Sequence, residues 1–183
     1  MKYRCTGCQH KPAELCVALG SQQFGIDLRC FLPRVDVRQA GANRSEADYA
    51  ERLYELMKAF ALTILSPGRQ TERTLLIVQE QLRPTRSFDV LFKRFIEPLH
   101  RAICSALAGL QNRRDDELAV ITQGHALVGQ ALAFVVAQQA YLRRARCTAI
   151  GPAEAETISD TIAAMAVAAV RPQVPKPAVL KIL

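Results

Sequence analysis

The side chains best suited to chemistry lie near the N-terminus, where Cys5 and Cys8 form a CxxC pair. With Cys16, Cys30 or His10, this pair could supply the four thiolate or imidazole donors that tetrahedral zinc requires. The sequence lacks a second CxxC pair, and a redox CxxC would need a following helix in a thioredoxin-like α/β unit, which is also missing. We therefore favour a set of unpaired thiols and predict neither a bound metal nor a cofactor.

The other two histidines, His100 and His125, lie in long helical patterns close to apolar faces. A histidine in that setting is more often a core or interface residue than a ligand, although His100 is also a candidate for contacting one. The sequence has no HExxH spacing, no nucleophile motif around a serine or cysteine, and no glycine-rich phosphate loop. We predict that the chain is not an enzyme.

Composition favours an all-helical protein. Half of the 183 residues are hydrophobic, only 6% are aromatic, and Ala and Leu supply much of the apolar content. The net charge of +7 permits a nucleic-acid partner but does not establish one, because the clearest cationic clusters fall at helix ends, where they offset the helix dipole. The longest apolar run identified, Ala126 to Ala137, is too short for a membrane span, and no signal peptide follows Lys2. We expect a cytoplasmic protein without a membrane segment.

Apolar residues recur every three or four positions from Ser45 to Val170, which predicts an all-α fold. Ser45 and Ser87 are expected N-caps, Asp115 and Asp116 are expected to open a helix, and Pro98 should bend or split one. Residues 1–43 are predicted to be irregular, residues 44–170 to form one helical ligand-sensing and dimerisation domain, and residues 171–183 to form a Pro-rich extended tail. The five main helices expected are Ser45–Leu65, Glu72–Leu82, Ser87–Leu110, Glu117–Arg144 and Ala153–Val170.

The helix Glu117–Arg144 is apolar almost all the way round, as expected for a helix between its own core and a partner chain. At 100° per residue, one small-residue face suits the matching helix of a second copy across a two-fold axis. We predict a homodimer joined by this helix and the helix Phe88–Leu110. The expected interface residues are His125, Gly129, Leu132, Ala133, Val136 and Ala140.

The opposite face of the same helix, with Leu127, Gln130, Phe134 and Tyr141, should point into the protomer. A pocket is expected between it and the preceding helices. Its few polar groups predict a neutral or mildly polar hydrophobic ligand. The alternative is that the same residues fill a closed core. The candidate ligand-binding residues are Leu56, Phe60, Gln79, Phe95, His100, Gln130 and Phe134.

With these helices in place, the chain from about Glu46 to Val170 resembles the sensor and dimerisation domain of TetR/AcrR-type transcriptional regulators. The segments that carry the resemblance are LSPG at a helix end, LIVQEQLRPTRSFDVLF before the bend, FIEPLHRAICSAL and HALVGQALAFVVAQQAYLRR. The resemblance implies an all-α domain, a homodimer through a four-helix bundle formed by the two long helices of each protomer, and an inducer cavity inside each protomer.

Regulators of this type begin with a three-helix module that contains a helix-turn-helix. Residues 1–43 show no apolar-periodic first helix, no small-residue turn between short helices and no recognition helix. We therefore expect weak, non-specific DNA binding by this chain. One hypothesis for the difference is a wrong start or reading frame upstream of Asn43. The alternative function is that of a stand-alone helical protein that binds a small molecule but not DNA.

Overall fold

Every regular element in the part of the chain that the structure describes is a helix, which confirms the predicted all-α fold. The computed structural model describes residues 45–65 and 69–170. The predicted irregular segment 1–43, with its CxxC pair, and the tail 171–183 lie outside the described residues. The elements are α1 (Glu46–Leu65), α2 (Arg69–Leu82), α3 (Phe88–Leu91), a π-helical turn (Phe92–Ile96), α4 (Glu97–Gln111), α5 (Leu118–Val136), α6 (Gln138–Ala145) and α7 (Pro152–Val170).

Helix α1 is the central element and contacts α2, α4, α5 and α7. Its predicted apolar stripe is buried, and Leu53 and Met57 are fully inaccessible to solvent. The helix begins with a capping box in which the Asp48 N–H donates to Ser45 Oγ at 3.2 Å and the Ser45 N–H donates to the Asp48 carboxylate at 2.9 Å. The predicted N-cap at Ser45 is confirmed.

A polar network aligns α7 antiparallel to α1. The Tyr54 hydroxyl donates to Asp160 Oδ1 at 2.7 Å, and Lys58 Nζ lies 2.6 Å from the same oxygen and 2.8 Å from Glu156 Oε1. The hydrogen bonds from Lys58 and Tyr54 lower the pKa of the Asp160 carboxyl. Because the earlier residue of α1 pairs with the later residue of α7, the start of α1 and the end of α7 lie at the same end of the bundle.

The helix predicted from Ser87 to Leu110 is divided just before Pro98. Proline lacks an N–H, and its ring clashes with the carbonyl four residues earlier in a continuous helix. Pro98 therefore occupies the first turn of α4, after a π-helical turn in which the Glu97 N–H donates to the Phe92 carbonyl. Ser87 occupies the predicted N-cap position before α3, but its backbone is helical and its side chain makes no capping hydrogen bond.

The predicted helix Glu117–Arg144 is also divided, so its prediction as one continuous helix is wrong. It breaks at Ala137, where φ is −105° and ψ is 25°. Helix α6 begins at Gln138, directly after this break. Neither a proline nor a glycine marks the break, so the local sequence carries no signal for it.

The start of this helix differs from the prediction as well. Asp115 and Asp116 lie in the turn before α5 and do not cap it. Glu117 occupies the N-cap position, and its carboxylate accepts a hydrogen bond from the Arg114 N–H at 2.9 Å. The acidic residues therefore stabilise the turn between α4 and α5 more directly than the helix that follows.

Helix α2 presents apolar side chains to solvent as well as to the core. Leu75 is 46% exposed and Leu82 is 75% exposed, whereas Ile77 and Glu80 are buried. Glu80 faces inward because its carboxylate accepts hydrogen bonds from the Thr85 N–H at 3.1 Å and from the Thr85 hydroxyl at 3.0 Å. These bonds hold the loop between α2 and α3. They also compensate for the burial of the Glu80 carboxylate.

Candidate functional site

One face of α5 is apolar, uncharged and largely exposed in the single chain. Leu118 is 79% exposed, Ile121 is 40% exposed and Val136 is 66% exposed. A Cβ built on Gly129 meets nothing within 4 Å. By contrast, the opposite face supplies the buried residues of this helix. We call the outward stripe the exposed α5 face and define it as Leu118, Ile121, His125, Gly129, Leu132, Ala133 and Val136.

Five of the six predicted interface residues belong to the exposed α5 face. Leu132 is half-buried, and the other four are exposed. The sixth, Ala140, is exposed on α6, beyond the break. Five of the six residues predicted to meet a partner chain are thus on the surface of the protomer, and Leu132 is partly buried against its core.

Helix α5 is also long and apolar enough to cross a membrane, judged by length and composition alone, with a mean hydropathy of 1.5. The sequence analysis did not expect a stretch of that length. A core helix of a soluble protein can have the same length and composition, and 22% of this stretch is buried inside the bundle. Here Val120, Leu127 and Ala131 of α5 lie in the core of the bundle, where the helix packs against α1 and α4.

Helix α7 carries a second exposed face of small and apolar side chains. Ile158 and Ile162 are buried, whereas Met165 is 54% exposed. Thr161, Ala164 and Ala168 are exposed on the same side as Met165.

Helix α4, which was expected to share the dimer interface with α5, uses its apolar stripe inside the protomer. Leu99, Ile103 and Leu107 are buried in the core. Its exposed residue Arg101 is charged and pairs with Glu97 at 2.9 Å. The faces of this chain that remain apolar and exposed are therefore more extensive on α5 and α7 than on α4.

The rings of half-buried His100 on α4 and exposed His125 on α5 lie side by side, although the sequence predicted different roles for the two residues. Their ring centroids are 5.8 Å apart, and Cys104 Sγ lies 3.4 Å from His100 Nδ1. Burial, and secondarily the neighbouring His125, lower the pKa of His100, while burial raises the pKa of the Cys104 thiol. The surroundings thus favour the neutral forms of His100 and Cys104. Among the described residues, no group of three such side chains is arranged to hold a metal ion.

The sequence analysis missed Cys104 as a partner of this histidine pair. The available signal was its spacing of four residues from His100, which places two side chains on one side of a helix.

The predicted ligand-binding residues occupy different environments. Leu56, Phe60 and Phe95 are buried in the apolar core. Gln79 lies on the outward face of α2 and is exposed, so the structure does not place it inside the protomer. His100 is half-buried at the contact of α4 and α5. The structure therefore does not bring all seven residues to one interior surface.

Gln130 and Phe134 lie one turn apart on the inward side of α5, as predicted, and both are half-buried. The Phe134 ring meets the Tyr141 ring edge to face, with centroids 5.2 Å apart. This aromatic pair spans the break between α5 and α6. The Gln130 Oε1 atom is fully buried and accepts no hydrogen bond from the described residues.

A cavity of about 720 Å³, open to solvent, lies at the end of the bundle where α1 begins. None of the seven predicted ligand-binding residues lines it. Its two arginines are paired with neighbouring carboxylates, Arg113 with Glu117 and Arg114 with Asp116. The lining residues are Tyr49, Ser105, Ala108, Gly109, Asn112, Arg113, Arg114, Asp115 and Asp116.

Comparison with known proteins assigns this helical domain to a family. The family described as "HTH-type transcriptional dual regulator CecR, C-terminal domain" matches residues 49–171, well over half of the chain. A Shigella flexneri protein described as "HTH-type transcriptional dual regulator CecR" is 30% identical over 86 residues, which are 47% of this chain and 39% of that protein. The similarity thus spans well under half of the relative's length. The chain belongs to the CecR C-terminal-domain family and contains the C-terminal domain of a TetR-like transcriptional regulator.

Proposed function

We propose that this chain is the effector-sensing and dimerising part of a TetR-like transcriptional regulator, acting in the cytoplasm. The observation that carries the proposal is the exposed α5 face, whose residues Leu118 and Val136 are 79% and 66% exposed. A stripe of this kind on an isolated chain is typical of a protein–protein interface. Membership of a regulator family makes a second copy of the chain the expected partner.

In the proposed dimer, α5 and α7 of each protomer form the four-helix interface. This assignment revises the sequence-based one, which paired α5 with the helix now seen as α3 and α4. The exposed Ala164 and Ala168 of α7 support it, because small side chains allow helices of two protomers to approach closely. The stripe of α4 is already buried within the protomer.

The proposed effector is a small hydrophobic compound that binds at the inward face of α5, beside Gln130 and Phe134. Binding to the folded chain should raise its stability by about 2.7 kcal/mol when the free compound is at about 100 times its Kd. The stabilisation is measured by recording the melting temperature of the chain with a panel of hydrophobic antibiotics and dyes. If Phe134→Ala leaves the shift of an active compound unchanged, the site is not beside Phe134.

Binding to promoter DNA separates the regulator from the alternative, a stand-alone small-molecule carrier. Fluorescence anisotropy with labelled DNA from upstream of the chain's own coding sequence, at low and at physiological salt, is the experiment. Since residues 1–43 show no recognition helix, we expect weak, non-specific binding that falls steeply as salt rises, because contacts to phosphates release counterions. Nanomolar sequence-specific binding would overturn that expectation. No binding at low salt would favour the carrier.

A further inference from the structure

Helix α2 carries an apolar stripe on its outward side. Leu75, Val78 and Leu82 follow one another at spacings of three and four residues, so they share one side of the helix. Leu82 is 75% exposed and Leu75 is 46% exposed, whereas Val78 is half-buried. We call these three residues the α2 stripe. It belongs neither to the core nor to the two helices of the proposed dimer interface.

The loop that follows α2 places cations beside this stripe. Arg83 comes directly after Leu82, and Arg86 lies four residues after it. The loop folds back on the last turn of α2, because the Thr85 N–H and hydroxyl donate to the Glu80 carboxylate at 3.1 Å and 3.0 Å. Both arginines are exposed, and neither forms a salt bridge within the part of the chain that the structure describes.

The excess of positive charge continues into the next helical segment. Residues 81–94 contain one acid, Asp89, and four exposed cations, namely Arg83, Arg86, Lys93 and Arg94. Phe92, which is 40% exposed, adds an apolar side chain to this segment. Apolar anchors with a cationic border suit a partner surface that is apolar at its centre and acidic at its rim.

Charge also decides against the occupants that this chain itself could supply. Residues 1–44 hold seven cations and three acids, and residues 171–183 hold three cations and no acidic side chain. A second copy bound through the same surface would bring two sets of arginines together. Like charges facing each other at an interface suppress such pairings. The complementary occupant is therefore an acidic segment of a different protein.

We propose that this surface binds an acidic amphipathic helix of another protein, which sets its apolar residues on the α2 stripe and its carboxylates against Arg83 and Arg86. An amphipathic helix suits the stripe because it presents apolar anchors at the same spacing of three and four residues. Phosphates of a nucleic acid would pair with the arginines and leave the leucines exposed. A lipid bilayer would need a larger apolar face than two strongly exposed side chains.

The probe for this surface is a fluorescein-labelled peptide of about five helical turns, with leucines on one face and glutamates on the other. A peptide of the same composition in scrambled order, which has no apolar face, is its control. Fluorescence anisotropy with the full chain at physiological salt measures both Kd values. We expect saturable binding of the amphipathic peptide, about tenfold tighter or more than that of the scrambled peptide.

Substitutions in the chain locate the binding site. Leu82→Ser and Arg86→Glu should each weaken binding of the amphipathic peptide by about tenfold. Arg144→Glu makes the same change of charge at an exposed position of α6 and should have a much smaller effect. Since Leu82 and Arg86 are both exposed, their variants should keep the wild-type melting temperature and association state.

Four outcomes would overturn the proposal. Failure of the amphipathic peptide to bind would remove the surface as a helix-binding site. Equal binding of both peptides, or equal losses with Arg86→Glu and Arg144→Glu, would show only a general attraction between a cationic chain and an acidic peptide. Binding to phosphatidylglycerol vesicles that Leu82→Ser abolishes, without binding of the peptide, would assign the surface to a membrane. Dissociation of a wild-type dimer by Leu82→Ser would assign the α2 stripe to the interface between copies.

Discussion

The sulfur of Cys104 on α4 rests against the bare backbone of Gly124 on α5. A Cβ built on Gly124 would lie 2.9 Å from Cys104 Sγ and 3.5 Å from His100 Cε1. Glycine inside a helix costs about 1 kcal/mol relative to alanine. The close approach of α4 to α5, together with the buried contacts that it allows, offsets this cost.

We predict that Gly124→Ala destabilises the protein despite the better helix propensity of alanine. Overpacking a well-packed core typically costs about 1 to 3 kcal/mol, which outweighs the gain of about 1 kcal/mol from propensity. Urea unfolding of both single variants and of the double variant measures this. In a Cys104→Ala background, Gly124→Ala should cost much less. A loss of the same size in both backgrounds would show that the contact with the sulfur is not its cause.

Mild acid should destabilise the fold through His100. Its pKa is lowered in the folded protein, mainly by burial and then by His125, so the unfolded chain binds the proton more readily. The stabilisation is present above the ordinary pKa of about 6.5 and is lost as pH falls towards the lowered folded pKa. The melting temperature should therefore drop between about pH 7.5 and 5, and His100→Gln should flatten the drop. An identical drop in His100→Gln would refute the assignment.

The link between α1 and α7 predicts unequal effects for two aspartates. Asp160 joins Tyr54 and Lys58 across a long stretch of chain, whereas Asp116 pairs with Arg114 only two residues away. A local pair can persist in the unfolded chain, but the Asp160 contacts cannot. Asp160→Asn should lower the melting temperature by a small but measurable amount, and Asp116→Asn should leave it nearly unchanged. An effect of Asp116→Asn as large as that of Asp160→Asn would contradict this account.

The sequence predicted the helices well because their periodicity and most of their boundaries are local properties. The capping box at Ser45 and the division before Pro98 follow from residue chemistry within a few positions. The break at Ala137 does not, since nothing at that position disfavours a helix. The inward orientation of the Glu80 side chain could not be predicted either, because it depends on hydrogen bonds from Thr85 in the following loop.

The two glycines of α5 show why the candidate site was only partly predictable. Gly124 meets α4 of its own protomer, whereas Gly129 faces outward with no neighbour within 4 Å. Periodicity places residues on faces of a helix, but it does not say which element covers each face. The contact between the His100 and His125 rings could not be predicted for the same reason. The two residues lie on different helices, and only the tertiary structure shows how those helices pack.

The exposed position of Gly129 leads to a prediction about dimerisation. A leucine there has room in the protomer but would project from the centre of the exposed α5 face. Gly129→Leu should therefore weaken dimerisation by overpacking the interface, while helicity measured by circular dichroism stays at the wild-type level. Size-exclusion chromatography over a dilution series should show dissociation at a higher concentration than for wild type. Unchanged dissociation would place Gly129 outside the interface.

The measurement that tests the account most directly is sedimentation velocity of the wild-type chain at micromolar concentration, with Val136→Arg as the matched variant. We predict a species of twice the 20.2 kDa chain mass for wild type. Val136→Arg, which sets a charge into the exposed α5 face, should sediment as a helical monomer. A wild-type chain that sediments at 20.2 kDa with full helicity would contradict the proposal that this face joins two copies.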